Sequence, residues 1–294
     1  MQDWRSFLPR TGAARNSEFQ DRGHMMKRVI GVDAGSTLTK LVYKEDGRMH
    51  YKKFLTNDHL FIRQLLKLDP VDSVVVTGGR ADLWRDMKNV PLHEFDAVTL
   101  GTRELLKQEG NSLDEFILVN IGTGTSFFRV KKDEYERVLG SGIGGGMFMG
   151  LGRRLTGVTD FEDLAGLAEE GTRKNSDLLV GDIYREEEVG IAPHLTASNF
   201  GKPPSSAESP GDQLRSLTNM MAETMILLSM SIAPQTSKPF LVFVGNGVEG
   251  NAALQEDLGS FREWLEYTPL FPDKGGYAGA LGAYIQGLNS QNGH

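Results

Sequence analysis

Cysteine is absent from all 294 residues. That excludes disulfides, thiolate metal sites and a cysteine nucleophile, and it leaves no mark of an oxidising compartment, so a cytoplasmic location is expected. Basic residues are in short supply as well: 32 Lys and Arg stand against 39 Asp and Glu, for a formal net charge of −7. Such a balance does not suit a surface that must neutralise phosphates along a nucleic acid, and no nucleic-acid partner is expected. Long apolar runs are missing too. The longest candidate, residues 220–234, is too short for a membrane span and carries Glu223, so it reads as a core or subunit-interface helix. No Walker A pattern occurs, which disfavours a P-loop kinase.

What is present is enough apolar material, 39% of the chain, to bury a large core in one big domain or two lobes. Residues 1–25 mix Arg, Gly, Ser and Asp without period and end in Gly23-His24-Met25, the look of an expression leader with a cloning scar. A transit peptide competes for that segment, but Asp3, Glu18 and Asp21 fit it poorly. The remainder divides into an N-terminal lobe over residues 26–114 and a C-terminal lobe over 115–294.

A weak internal repeat sets that division. The stretch VIGVDAGSTLTKLVYK, residues 29–44, runs from an apolar strand through a small-residue corner into a second strand. EFILVNIGTGTSFFRV, residues 115–130, repeats the theme with a Gly/Thr corner. Asp33, Ala34, Gly35, Ser36 and Thr37 align with Ile121 to Thr125, so Thr123 and Gly124 fall at the same point of the second hairpin. Two such corners facing one cleft could hold a polyphosphate, since backbone N–H groups and hydroxyls are offered with little bulk. Two ordinary tight hairpins are the bland reading, and the recurrence favours phosphate.

Other segments are read the same way. A helix is expected from Phe95 to Gln108, stopped by Gly110, with Glu94 just before it. Phosphoryl transfer to an alcohol needs a carboxylate that accepts the hydroxyl proton, and Glu94 suits that task; Asp96 and His93 are rivals. Gly140, Gly142 and Gly145 match G-x-G-x-x-G, but after a hairpin rather than in a first βα turn, so the dinucleotide reading is weak. What survives is a glycine-rich helix start with free N–H groups for phosphate, against the alternative of glycines kept for close packing. Gly245, Asn246 and Gly247 end an apolar strand in a corner that could approach adenine or ribose. Residues 192–212 read as a long exposed loop, and GGYAGALGAY as a closing helix whose small residues permit close packing.

Together GVDAGSTLTK, EFDA, VNIGTGTS, ERVLGSGIGGGMFMGLG, LTASNFG and GGYAGALGAY resemble the type II pantothenate kinases of staphylococci and bacilli over most of the chain after Met26. The resemblance implies an α/β, two-lobed actin-like ATPase fold, the superfamily of acetate and sugar kinases, Hsp70 and actin, with duplicated ribonuclease H-like subdomains. It implies ATP and Mg2+ as cofactors, pantothenate as substrate and a homodimer formed through the helix around residues 220–233. Asp33 would hold magnesium through water, and Gly31 to Lys40 would be the ATP phosphate loop. Glu94 would be the proton acceptor, and Arg137 would orient pantothenate and steady the transferring phosphoryl group. Thr123, Gly124, Gly144, Gly145, Gly146, Met147, Phe148, Met149 and Phe161 would lie at nucleotide or substrate, and Gly245, Asn246 and Gly247 at adenosine. The chain has Gly35-Ser36 where the family usually has two glycines, and Asn246 where relatives often carry serine. Two alternatives stay open: a related small-alcohol or amino-sugar kinase, and a non-catalytic nucleotide-binding relative of actin or Hsp70.

Overall fold

The computed structural model describes residues 28–68, 71–85, 87, 89–184, 190–234 and 238–292; the leader reading of residues 1–25 lies outside them. The described elements run, in chain order, β1 (Val29–Ala34), β2 (Leu38–Glu45), β3 (Arg48–Leu55), α1 (His59–Leu68), β4 (Ser73–Thr77), β5 (Asn89–Pro91) and α2 (Glu94–Gln108). There follow β6 (Glu115–Ile121), β7 (Thr125–Lys131), β8 (Glu134–Ser141), α3 (Gly145–Thr156), α4 (Phe161–Glu170), β9 (Leu178–Leu179), α5 (Val180–Ile183) and β10 (Thr196–Ser198). Last come α6 (Pro210–Ile232), β11 (Phe240–Val244), α7 (Ala252–Ser260), β12 (Thr268–Leu270) and α8 (Ala278–Asn292). None of the described helices is long and apolar enough to cross a membrane.

Two units result, Met1–Gly110 with Tyr277–His294, and Asn111–Gly276. The first holds a five-stranded sheet in the order β3-β2-β1-β4-β5. Strands β1, β2 and β3 form an antiparallel meander, and the Asp46-Gly47 turn between β2 and β3 takes φ of 47° and 78°, the left-handed pair that a two-residue hairpin requires. Strands β4 and β5 continue parallel to β1, whose residues are almost all buried, as a strand covered on both faces should be. Helix α2 starts one residue earlier than the pattern suggests, at Glu94, and Gly110 ends it at φ 81° with its N–H on the Lys107 carbonyl.

The closing helix α8 belongs to this first unit, which corrects the division that assigned all of residues 115–294 to one lobe. Its small residues explain why. A Cβ on Gly101 of α2 would strike the Ala278 carbonyl, and one on Gly282 of α8 would strike the Ala97 carbonyl, so the two helix backbones are in direct contact. Gly31 on β1 likewise leaves room for the backbone at Ala280 and Tyr284. Periodicity marks a helix as apolar but not which sheet it returns to.

The second unit repeats the plan: its sheet runs β12-β11-β6-β7-β8, again an antiparallel meander, β6 to β8, flanked by parallel strands. Each strand of one sheet has a counterpart in the other, β1 with β6 and β4 with β11 at the centre. The core of this unit gathers Phe127, Phe148, Leu214, Leu217, Met221, Met225 and Phe243 along α6. Ser209 caps α6 through a reciprocal box with Asp212. The expected long loop is partly pinned: β10 pairs with β9, Asn199 donates to Glu223 at 2.9 Å, and Arg173 donates to Thr196 Oγ1 at 2.7 Å.

Candidate active site

In the first unit β1, β4 and β5 run parallel, so their C-terminal ends open on one sheet edge. The corner after β1, the loop after β4 and the start of α2 just after β5 are therefore neighbours in space though far apart in sequence. Asp33 and Lys40 face each other across the β1–β2 pair, with Nζ 3.6 Å from Oδ2. Lys40 is only 6% exposed, and an ammonium so placed needs that carboxylate. The corner itself is braced: the Gly35 N–H donates to the Leu38 carbonyl at 3.0 Å, and Thr56 Oγ1 donates to the Gly35 carbonyl at 2.9 Å. Ser36 and Thr37 are left exposed at the tip, next to buried Ala34.

Glu94 stands at the first helical position of α2. His93 Nδ1 accepts the Phe95 N–H at 3.3 Å and its ring lies edge-on to Phe95, 4.8 Å between centroids, which fixes the turn that carries the carboxylate. That engages one nitrogen of the rival base; Asp96 is exposed on the same turn. Glu94 is solvent-accessible, yet the protein around it removes enough water to raise its pKa, and the nearby Asp33 carboxylate raises it further; His93 and Lys40 pull the other way. A carboxylate with raised proton affinity is the better proton acceptor.

The loop after β4 begins with two glycines, Gly78 and Gly79. It folds back on the corner, with the Arg80 N–H donating to the Ala34 carbonyl at 2.9 Å, and Gly78 takes φ 92° where a Cβ would lie 2.6 Å from Asp33 Oδ1. Thr77, in register with Asp33, keeps a buried hydroxyl with no hydrogen-bond partner. Among the described residues no cluster of three or more His, Asp or Glu could cage a metal. Magnesium carried on nucleotide phosphates asks for only one or two carboxylates and keeps several waters. Asp33 beside the orphan Thr77 hydroxyl meets that lighter demand.

In the second unit the β6–β7 corner is closed by the helix that follows the sheet meander. The N–H groups of Gly145 and Gly146 donate to the Gly122 and Thr123 carbonyls at 2.8 and 2.9 Å, and Thr125 Oγ1 donates to the Ile143 carbonyl at 2.6 Å. The expected free N–H groups at this helix start are thus, for those two residues, already engaged. A Cβ on Gly144 would lie 2.8 Å from the Gly124 Cα and the Thr123 oxygen, so these glycines let α3 begin directly on the corner. Phe148 is 1% exposed and packs edge-on to Phe161 at 5.7 Å, which makes it a core residue; Met147 and Met149 pack partly buried on the same core. Gly140 sits in antiparallel β8, where its missing Cβ admits the Arg137 guanidinium, and this removes the dinucleotide reading. Arg137 is exposed, with Nε donating to Ser126 Oγ at 3.3 Å.

The corner after β11 completes this unit's inventory. Gly245 takes φ 100°, and the Gly247 N–H donates to the Ile121 carbonyl at 2.7 Å, beside half-buried Asn246. Sequence reasoning missed Glu249, whose Oε2 accepts the Gly276 N–H at 2.5 Å while the Gly245 N–H reaches the Gly275 carbonyl at 3.2 Å.

The family model described as Fumble matches residues 86–286. Type II pantothenate kinases of Bacillus cereus strain G9842 and Oceanobacillus iheyensis are 36% and 40% identical to the chain, each over 88% of it and 98% or 99% of their own length. The chain belongs to the type II pantothenate kinase family. Among solved structures, the activator of the 2-hydroxyisocaproyl-CoA dehydratase from Clostridium difficile with bound ADPNP is similar at TM-score 0.62 and 17% identity, covering 91% of this chain and 98% of that one. A ROK family glucokinase from Streptomyces griseus is similar at TM-score 0.54 and 14% identity, covering 88% of this chain and 98% of that one. At such identities the likeness speaks for the fold, which is that of the actin-like ATPases. The corners after β1, β6 and β11 are the segments that the sequence motifs of this chain single out.

Proposed function

We propose that the chain transfers the γ-phosphoryl group of ATP to the 4′-hydroxyl of pantothenate, giving 4′-phosphopantothenate and ADP, the first step towards coenzyme A. The observation that carries this reading is Glu94, a carboxylate of raised proton affinity beside the Asp33–Lys40 pair. A pure nucleotide switch has no need of such a base. In the reaction the 4′-oxygen forms a bond to the γ-phosphorus, the bond to the β,γ-bridging oxygen breaks, and the hydroxyl proton passes to a Glu94 carboxylate oxygen. Most of the acceleration comes from positioning and electrostatics.

In the first unit Asp33 would hold hydrated magnesium and Lys40 would keep Asp33 oriented. Magnesium, when bound with the nucleotide, supplies charge neutralisation on the phosphates. In the second unit Arg137 would orient pantothenate and the corner at residues 245–247 would seat adenosine. The relatives are named pantothenate kinases, which supports the substrate. A homodimer through α6 is part of the proposal: Leu227 is 59% exposed, one or two turns from partly buried Met220, Thr224 and Met230. So is a cytoplasmic location.

Coupled ADP release with ATP, magnesium and pantothenate tests the reading, run beside Glu94→Gln and a panel of amino sugars. Pantothenate-dependent turnover that collapses in the variant while nucleotide still binds is the expected result. Turnover on an amino sugar alone would replace the acceptor, and nucleotide binding without any turnover would leave a sensing role.

A further inference from the structure

Two loops of the molecule are built alike, and only one has a part in the proposed reaction. They are residues 77–80 after β4 and residues 244–247 after β11, strands that hold equivalent places in the two sheets. In each, a glycine of positive φ, 92° at Gly78 and 100° at Gly245, follows the strand. In each, a Cβ there would strike the carbonyl of the last residue of the neighbouring strand, Ala34 or Ile121. Two residues further on, a backbone N–H donates to that same carbonyl, Arg80 to Ala34 at 2.9 Å and Gly247 to Ile121 at 2.7 Å. Chance does not readily repeat a left-handed glycine and a long-range hydrogen bond at equivalent strands.

The two loops differ in what stands at the fourth position. In the second unit it is Gly247, buried, where a Cβ would lie 3.2 Å from the Gly145 nitrogen. In the first it is Arg80, whose side chain is 47% exposed. The loop behind it is firmly anchored: Trp84 is fully buried and Arg63 Nη1 donates to the Leu83 carbonyl at 2.8 Å. Its outer side is open, since a Cβ on Gly79 would meet nothing within 4 Å. Arg80 pairs with Asp82 at 3.8 Å between two half-exposed side chains, a contact of little worth that an incoming anion can replace. Lys40, by contrast, is buried against Asp33.

We propose that residues 78–80 form a second ligand corner and that Arg80 binds an oxyanion of a substrate, either the carboxylate of the acceptor or a phosphoryl oxygen of the nucleotide. The guanidinium offers a planar fork suited to both. The identity of the two substrates rests on the proposed function; the anion site does not.

Calorimetric binding of a non-hydrolysable ATP analogue, of pantothenate and of the neutral primary amide of pantothenate tests it, on the wild-type chain and on Arg80→Ala, Arg80→Lys and Asp82→Asn. Loss of a charge-assisted contact should weaken the anion's binding about tenfold or more in Arg80→Ala. Arg80→Lys should recover part of it, and Asp82→Asn should bind as well as the wild type or better. If the acceptor carboxylate is the anion, pantothenate weakens and its amide does not; if a phosphoryl oxygen is, the ATP analogue weakens instead. Equal binding of all three ligands by the wild type and Arg80→Ala, both folded by melting temperature, overturns the proposal. So does an Asp82→Asn variant as weak as Arg80→Ala, because the loop's shape rather than its charge would then be at work. A wild-type chain that binds the ATP analogue but not pantothenate defeats the proposed function, and the nucleotide arm still decides Arg80.

Discussion

The two units share a sheet order and two kinds of corner, but at matched positions of those corners the first carries charge and the second neutral groups. Across the β1–β2 pair Asp33 faces Lys40; at the matching place on β6 and β7, Asn120 faces Ser126, which corrects by one residue the alignment of Asp33 with Ile121 that the sequence suggests. Beside the corner after β4 stands Arg80, where the corner after β11 has Gly247. Glu94 adds a second carboxylate to the first unit's sheet edge, close enough to Asp33 that the Asp33 carboxylate disfavours the charge on Glu94. The lesson is a division of labour on one scaffold. Groups that move protons or neutralise phosphate need full charges held by partners, whereas a corner that admits a ring or a helix start needs backbone and space.

The sharpest way to break the comparison is to neutralise the first unit's base. Glu94→Gln should lower kcat by about 10²- to 10⁴-fold, the usual worth of general-base help, with little change in nucleotide affinity. A loss below threefold in steady-state assays would mean the proton leaves by another route. The pH profile sharpens the same point: the rate should rise with pH as Glu94 loses its proton, with a midpoint above the usual glutamate range because burial and Asp33 raise it. The stability sign is opposite. The folded state keeps this proton where the unfolded chain has lost it, so Glu94's contribution is full below the unfolded pKa and is lost as pH rises through the folded one.

Making the first unit resemble the second is the next test. Asp33→Asn recreates the Asn120 position but removes the carboxylate that lies 3.6 Å from the Lys40 ammonium, whose side chain is 8% exposed. Breaking a well-buried pair in this one-sided way costs about 3 kcal/mol or more, and the 19% exposure of the Asp33 side chain places it at the low end. Urea unfolding should show the drop. The double change Asp33→Asn with Lys40→Ser should recover much of it, since the pair in the second unit is neutral on both sides.

Much of this was legible in sequence. The repeat between residues 29–44 and 115–130 foretold two like hairpins, and Gly110, at φ 81°, ended its helix as a glycine should. Glu94 was legible because an acid at a helix start after a proline-bounded strand is a local pattern. The likeness of residues 77–80 to 244–247 was not: TGGR and VGNG share one glycine, and what makes them equivalent is a backbone angle and a hydrogen bond to a strand more than 40 residues away. The return of α8 to the first unit was hidden for the same reason. Small residues advertise close packing, but the partners Ala97 and Gly101 are set by tertiary structure.

Smaller effects test whether the two glycine corners are equally demanding. Gly78→Ala and Gly245→Ala each force a Cβ into a left-handed position against a carbonyl, a strain of about 1–3 kcal/mol, and the two melting temperatures should fall by similar amounts. A tolerant Gly78 beside an intolerant Gly245 would break the equivalence of the loops.

The smallest effect expected is at Glu249, which follows Gly245 by four residues as Asp82 follows Gly78, but holds a backbone N–H where Asp82 faces Arg80. Its carboxylate receives the Gly276 N–H, and the Gly245–Gly275 bond runs alongside, so it holds the glycine corner against the loop before α8. Glu249→Gln keeps an acceptor of the same shape and drops only the charge. Because charge-assisted bonds are roughly twice as strong as neutral ones, the change should cost about 1 kcal/mol. It should appear as a few-fold rise in KM for ATP, with kcat and the KM for pantothenate unchanged. An effect on kcat instead would assign Glu249 to the chemistry and bring a full charge into a corner that otherwise works through backbone and space.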